Sequence, residues 1–358
     1  MHDNKTIMTG DLNSNLQCPI PKSDYEHVLL AHGGGGKLTQ QLIEKMIYSR
    51  LGNEILEKGH DGAFLPHISS ELAMSTDSFV VDPIFFPGGD IGDLAINGTV
   101  NDLVCCGAEP LYISLAFILE EGFLLDELWK IIQSIEKSAH EACVKIVTGD
   151  TKVVEKGKGD KIYINTTGIG RVVPGLRISP DNCQEGDVVI INGTIGDHGI
   201  AIMSERAGFS FESGIKSDTA PLNRMMQDVF ARQPNIHVLR DPTRGGLSSA
   251  LNEISQSSGK GITLFESQLP VTEGVRGACE IMGFDPLYIA NEGKILVILP
   301  ERHAGEVLGI MRSHETGRES RIIGKISGRH GGLLHLETNI GSTRIIDMIS
   351  GEMLPRIC

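Results

Sequence analysis

IGDLAINGTVNDLVCCGA, residues 91–108, reads as one helix, and the chain on either side of it sets the fold class. Gly98 and Asp102 fall four apart on one face, as do Asn97 and Asn101, the spacing that makes neighbours on a helix surface. A glycine beside polar groups on an otherwise apolar helix has two readings: close approach of a phosphate or metal, or tight packing at Gly98. Upstream, residues 72–81 alternate as a strand, and downstream residues 111–119 form a buried-type strand. Residues 125–143 follow as an amphipathic helix, with Leu128, Ile131, Ile132, Ile135 and Ala139 facing inward. Residues 144–147 make a short strand ending in Thr148-Gly149-Asp150-Thr151-Lys152, and 161–173 a long strand or a pair.

Pro174, Pro180 and the polar run to Gly186 place a division near 175. The texture then repeats. A strand at 187–192 precedes helices near 197–207 and 221–232, and a further helix opens at Asp241-Pro242 and runs to about Ser257. Strands at 295–299, 322–326 and 333–336 surround a helix at 304–311. Strands and helices mixed in this way predict two α+β domains of similar make-up, 25–175 and 176–345. Residues 1–24 carry no periodicity and read as a flexible arm, and 346–358 as a mobile tail.

The chain has 358 residues, 40% hydrophobic and 22% charged, enough for a sizeable core. A net charge of −14 argues against nucleic acid or an anionic membrane as a main partner. No apolar run approaches the roughly 20 residues that span a bilayer, and the polar N-terminus lacks the apolar core of a secretory signal. Seven cysteines without a CxxC pair fit reduced thiols and a cytoplasmic location.

Gly33, Gly34, Gly35 and Gly36 bring backbone N–H groups within reach of an anion, and a helix striped by Leu38, Leu42, Met46 and Ile47 follows. A lid over phosphates and a plain flexible loop are both consistent with this. An Asp inside a strand, Asp77, goes against propensity and needs a reason. Asp241 sits where an N-cap is expected, with proline at the first helical position. With Asp102 and Asp150, these make four separated acids at element junctions beside Gly, Thr or Asn. Mg²⁺ is held by a few carboxylates together with phosphate, so the set and the glycine loop point to an ATP–Mg²⁺ site.

The ordered motifs carry a resemblance. Gly33 to Gly36, Thr76-Asp77-Ser78, Val100-Asn101-Asp102-Leu103 with Gly107-Ala108, Thr148-Gly149-Asp150-Thr151, Asp241-Pro242-Thr243-Arg244-Gly245-Gly246, Asn291-Glu292-Gly293-Lys294 and the final Pro355-Arg356-Ile357-Cys358 occur in that order. From about residue 27 to 358 the chain resembles the HypE family of NiFe-hydrogenase maturation proteins, in the aminoimidazole-ribonucleotide-synthetase-like ATP-binding superfamily. The resemblance implies a two-domain PurM-like α+β fold with a flexible C-terminal tail, a homodimer through the N-terminal halves, and ATP near the domain and subunit junction. It puts Asp77, Asp102, Asp150 and Asp241 around Mg²⁺ and phosphates, Gly33 to Gly36 as the lid, and Asn101 beside the nucleotide. Lys152 and Glu292 match positions that handle protons at the tail thiol. Asp90 and Asp93 fit no shared motif.

The implied activity is that of a carbamoyl dehydratase. A HypF-like carbamoyltransferase loads Cys358 with a carbamoyl group, ATP-dependent dehydration turns it into a thiocyanate, and the cyanide passes to iron on a HypC–HypD-like scaffold. Thirteen residues follow Ile345; extended, they reach roughly 40–45 Å, with Ser350-Gly351 as a hinge. Arg356 is expected to offset the carboxylate beside the sulfur. Three alternatives stay open on the residues alone. A selenophosphate synthetase carries a reactive Cys near the glycine loop, where the nearest here is Cys18. An aminoimidazole- or thiamine-type enzyme gives a terminal Cys no role, and a non-catalytic ATP-binding adaptor needs only a docking tail.

Overall fold

The computed structural model describes residues 25–208, 214–232, 235–348 and 356–358. The expected arm at 1–24, Cys18, and the hinge at Ser350-Gly351 lie outside the described residues. After the glycine loop come α1 (Lys37–Leu42), a π-helical turn Ile43–Tyr48 and the short α2 (Ser49–Leu51). Leu42 and Met46 of the expected stripe are buried. Then follow β1 (Leu72–Phe79), β2 (Phe85–Phe86), β3 (Gly89–Asp90), α3 (Ile91–Cys105), β4 (Ala108–Glu120), α4 (Leu125–Glu141), β5 (Lys145–Val154) and β6 (Ile162–Val172).

β1, β6, β4 and β5 make one sheet in that order, antiparallel except for the β4–β5 pair. α4 lays its predicted stripe on this core, and α3 is buried almost all round, as expected of a helix apolar on every side. Asp90 caps α3, accepting from the N–H groups of Gly92 at 2.7 Å and Asp93 at 3.2 Å. Gly98 faces the ring of Phe79, where a Cβ would come within 3.0 Å; close helix packing is its role.

The remainder comprises β7 (Asp187–Ile191), α5 (Asp197–Ala207), α6 (Asn223–Arg232), β8 (Val238–Arg240), α7 (Gly246–Ser258), β9 (Gly261–Phe265), α8 (Glu273–Met282), β10 (Leu296–Pro300), α9 (Glu301–Arg312), β11 (Arg321–Ser327), β12 (Leu334–Glu337) and β13 (Thr343–Ile346). Seven strands form a sheet ordered β13-β12-β9-β11-β7-β10-β8. Three central strands, β7, β10 and β9, are almost wholly apolar and buried, which is what coverage of both faces demands.

Three local expectations change. Thr148-Gly149-Asp150-Thr151 lies inside β5, because β4 pairs with it through Val154. The helix expected from Asp241 starts at Gly246 with Gly245 as its N-cap. Successive left-handed glycines, φ 75° at Gly245 and 57° at Gly246, hold the chain out of helical geometry until then, so Asp241 is not a cap. The tail does not hang free at its end: Ile357 is 1% and Cys358 8% exposed, packed with the core under the four-stranded sheet.

Candidate active site

Ser75 and Asp77 lie two apart on β1 and so share a face, the one that packs on α3. Ser75 Oγ donates to Asp102 Oδ2 at 2.6 Å. Asp241, in the loop between β8 and α7, accepts from Cys105 Sγ at 3.9 Å. These three carboxylates crowd one another at the meeting of the two sheets. Burial pushes each of them up, and burial followed by the charge of Asp241 pushes Asp102 up to about 7. Burial and mutual repulsion disfavour the charged forms of these carboxyls, and a nearby cation would offset that.

Glu292 enters the same space just ahead of β10. Its N–H donates to Asp218 Oδ1 at 3.1 Å and its carbonyl accepts from Asn101 Nδ2 at 3.1 Å. Asp218 also pairs with Lys294 at 2.8 Å, both side chains nearly buried. A Cβ at Gly293 would lie 1.8 Å from the Asp218 carbonyl oxygen, which is why the stretch reads Asn-Glu-Gly-Lys. Burial, then the charges of Asp218, Asp241, Asp77 and Asp102, push the Glu292 carboxyl well above its usual range. Its Oε1 has no hydrogen-bond partner among the described residues.

The Cys358 sulfur is brought to this cluster and accepts from Arg244 Nε at 3.1 Å. Burial and then Glu292 push the thiol up to about 12, against the pull of Arg244. Arg356 does not serve the sulfur as expected: its Nε donates to the Val80 carbonyl at 2.9 Å and its guanidinium pairs with Asp160.

Asp150 and Lys152 are elsewhere. They pair with each other at 2.6 Å on β5, both side chains well exposed, and Lys152 draws the Asp150 carboxyl below its usual range. β5 and β1 are opposite edges of the sheet, three strand spacings or about 14 Å apart. Cys358 lies against the β1 end, since the N–H of Val80 donates to its O at 3.1 Å. Within one chain, therefore, the structure does not bring Lys152 to the thiol or Asp150 to the other three acids. Among the described residues no group of three or more His, Cys, Asp or Glu is placed to hold a metal ion.

A cavity of about 380 Å³ opens beside Asp150 and Lys152, lined by Gly33, Gly34 and Gly35, Thr39, apolar residues including Ile47 and Phe117, and residues 148–152. Gly33 is held against β5; a Cβ there would fall 2.5 Å from Val153 N. Asn101, expected next to the nucleotide, is fully engaged elsewhere. Its amide donates to the carbonyls of Ala220 and Glu292, and its oxygen accepts from Leu222 N–H. It is a strut between the two halves that fixes Glu292.

Arg244 and Asp218 join the site without a role that the sequence alone gives them. Arg244 was visible inside its Asp-Pro-Thr-Arg-Gly-Gly motif, whereas nothing near Asp218 announces a partner 76 positions away at Lys294.

The fold and these motifs are shared with known proteins. The family model described as AIR synthase related protein, N-terminal domain, matches residues 59–172, and its C-terminal counterpart 184–336. A relative from Azotobacter vinelandii named carbamoyl dehydratase HypE is 48% identical over 92% of this chain and 97% of its own length. A crystal structure of the hydrogenase maturation protein HypE in complex with ATP superposes with a TM-score of 0.89 at 46% identity, covering 92% of this chain and 99% of that one. A HypE–HypF complex structure gives 0.76 at 48% identity, covering 86% and 99%. A thiamine-monophosphate kinase from Stenotrophomonas maltophilia, at 0.64 and 18% identity over 83% and 95%, shares the fold alone. A relative 48% identical over nearly the whole chain, two matched domains and a thiol docked on Arg244 near a buried glutamate agree: this chain belongs to the HypE family of carbamoyl dehydratases.

Proposed function

We propose that this chain dehydrates an S-carbamoyl group on Cys358 to a thiocyanate, at the expense of ATP, in NiFe-hydrogenase maturation. The observation that carries the reading is the placement of the Cys358 sulfur on Arg244, beside Glu292. ATP supplies a phosphoryl group to the carbamoyl oxygen, which then leaves as part of phosphate rather than as hydroxide; a bound Mg²⁺ would supply charge neutralisation at the phosphates. The balance is S–C(=O)NH₂ plus ATP giving S–C≡N, ADP and phosphate, with both nitrogen protons released.

Glu292 takes protons from the carbamoyl nitrogen as general base. Arg244 orients the sulfur and its substituent. Asp77, Asp102 and Asp241 would hold Mg²⁺ by drawing together with the ATP phosphates as further ligands, since no ready-made group of three stands among the described residues. The cavity under Gly33 to Gly35 suits a nucleoside; the N–H groups of Gly33 and Gly35 are bonded to Leu30 O and Thr39 Oγ1, so contact with its phosphates falls to Gly34 and Gly36.

Asp150 and Lys152 join this chemistry across a dimer. Leu72 and Met74 of β1 and Ile118 of β4 are large apolar side chains exposed on the four-stranded sheet, a surface suited to a second copy. Such pairing sets the Asp150–Lys152 edge of one chain beside the Cys358 edge of the other, where Lys152 can stabilise charge or handle a proton. The carbamoyl group comes from a HypF-like carbamoyltransferase and the cyanide goes to iron on a HypC–HypD-like scaffold. The six free cysteines among the described residues fit a reducing cytoplasm; no helix there is long and apolar enough to cross a membrane.

Mixing two variants tests the shared site. Cys358→Ala lacks the carrier and Asp150→Ala the opposite edge, so each alone is expected to form no thiocyanate. Co-expressed, they form heterodimers with one complete site, and partial activity returns. No recovery in proven heterodimers confines catalysis to one chain.

A further inference from the structure

The last residues, with Arg356 left-handed at φ 53°, dock alongside the continuation of β1. Val80 N–H donates to Cys358 O at 3.1 Å and Asp82 N–H to Arg356 O at 3.3 Å. The carbonyl between them, that of Ile357, faces the other way and meets His198 Nε2 at 2.8 Å. His198 stands in the first turn of α5, fully buried, with Nδ1 2.8 Å from Ser217 Oγ. A carbonyl can only accept, so Nε2 carries the hydrogen and Nδ1 takes one from the Ser217 hydroxyl. Burial pushes this imidazole down, in keeping with that neutral form. Four residues along, Ile202 packs in the same core cluster as Ile357 and Cys358. Four further, Arg206 donates to the Arg356 carbonyl and to that of Asp82, tying the tail to the loop after β1.

We propose that His198, Ile202 and Arg206, a stripe at i, i+4 and i+8 on α5, form a latch that holds the tail in its docked register. They are positioning residues: they act through the tail backbone, and the sulfur is left to Arg244 and Glu292. The proposal rests on reading Cys358 as the carrier. Two of the three grips are on main-chain carbonyls, so the latch is indifferent to what the sulfur carries. The contacts from α5 are therefore the same in the thiol, carbamoyl and thiocyanate forms of the tail. Polar grips of this kind also separate cheaply, because water satisfies both sides when the tail leaves. A purely apolar dock would strand the last residues in one place, whereas a carrier has to be loaded and unloaded outside.

The test is alkylation of the full-length protein with iodoacetamide at neutral pH, followed by the mass of the C-terminal peptide. Docked Cys358 is buried and protonated, so the wild-type rate is slow. Arg206→Leu and His198→Leu are each expected to raise it by about tenfold or more, the scale of one lost buried hydrogen bond to a charged or ring donor. His198→Gln offers an amide N–H at similar reach and is expected to retain most of the protection. In the same latch variants, loading by the carbamoyltransferase is unimpaired, kcat for dehydration falls, and KM for ATP is unchanged. A folded Arg206→Leu protein with wild-type alkylation and wild-type kcat overturns the latch; this half-buried site carries the test if His198→Leu fails to fold. Alkylation needs no turnover. A wild-type protein that forms no thiocyanate while its latch variants expose the thiol therefore overturns the dehydratase reading and leaves the latch standing.

Discussion

Glu292→Gln is expected to slow dehydration by about 10²–10⁴-fold, the usual contribution of a general base, while Cys358 still accepts a carbamoyl group. The substitution is nearly isosteric and leaves in place the backbone bonds from Glu292 N–H to Asp218 and from Asn101 to its carbonyl. The new amide must find a place in a site where Glu292 Oε1 had no partner, at a cost of about 1–3 kcal/mol in stability. That is too little to unfold an ordinary domain with about 5–15 kcal/mol in hand. The S-carbamoyl form should therefore accumulate, visible as a persistent carbamoyl mass on the tail peptide with no phosphate release above background. Burial and the neighbouring aspartates raise the Glu292 carboxyl, so its base form grows as pH rises through that raised value. Wild-type dehydration should accelerate over this window, and the limb should be absent from the Gln protein. A Gln variant with wild-type turnover removes Glu292 as the base.

One glycine appended after Cys358 is the second change with a large expected effect. The O of Cys358 is bonded to Val80 N–H and the residue is 8% exposed. An added residue has to displace what packs there or draw the sulfur away from Arg244. Losing the Arg244 contact and one backbone bond together is worth roughly 2–4 kcal/mol, or about two orders of magnitude in docked population. The cavity near Gly33, across the sheet from the tail, is untouched. Dehydration should fall about 10²-fold with nucleotide affinity unchanged, as read by phosphate release and equilibrium binding on one preparation. Full turnover by the extended protein shows that the chemistry does not occur in the docked pose.

Which parts of this were legible in the sequence follows from how local each signal is. α4 was readable because its inward residues recur at helical spacing, and all five predicted positions are buried or nearly so. α3 was readable as a helix, but with apolar residues on every side it gave no face, so Gly98 and Asn101 were open to a ligand reading that packing against Phe79 and bonding to Glu292 replace. Asp241 looked like a cap because proline follows it; the two left-handed glycines that postpone the helix and free its carboxyl are a three-dimensional fact. The 148–151 motif looked like a strand end because Gly149 interrupts the apolar run, yet β4 carries the pairing past it. Asp218, His198 and Arg206 had no signal. Each acts on a segment more than 70 residues away, and only the closing of the two halves on the tail brings them there.

The central claim is that the atoms lost in the reaction leave from the Cys358 side chain. The most direct measurement is the mass of the C-terminal peptide from protein first loaded by a carbamoyltransferase with carbamoyl phosphate, then exposed to ATP and Mg²⁺. The account predicts a carbamoyl mass on Cys358 that falls by one water in step with phosphate release, and no adduct on a Cys358→Ala protein. A carbamoyl mass that persists while ATP is consumed, or a cyano mass that appears on the Cys358→Ala protein, contradicts it.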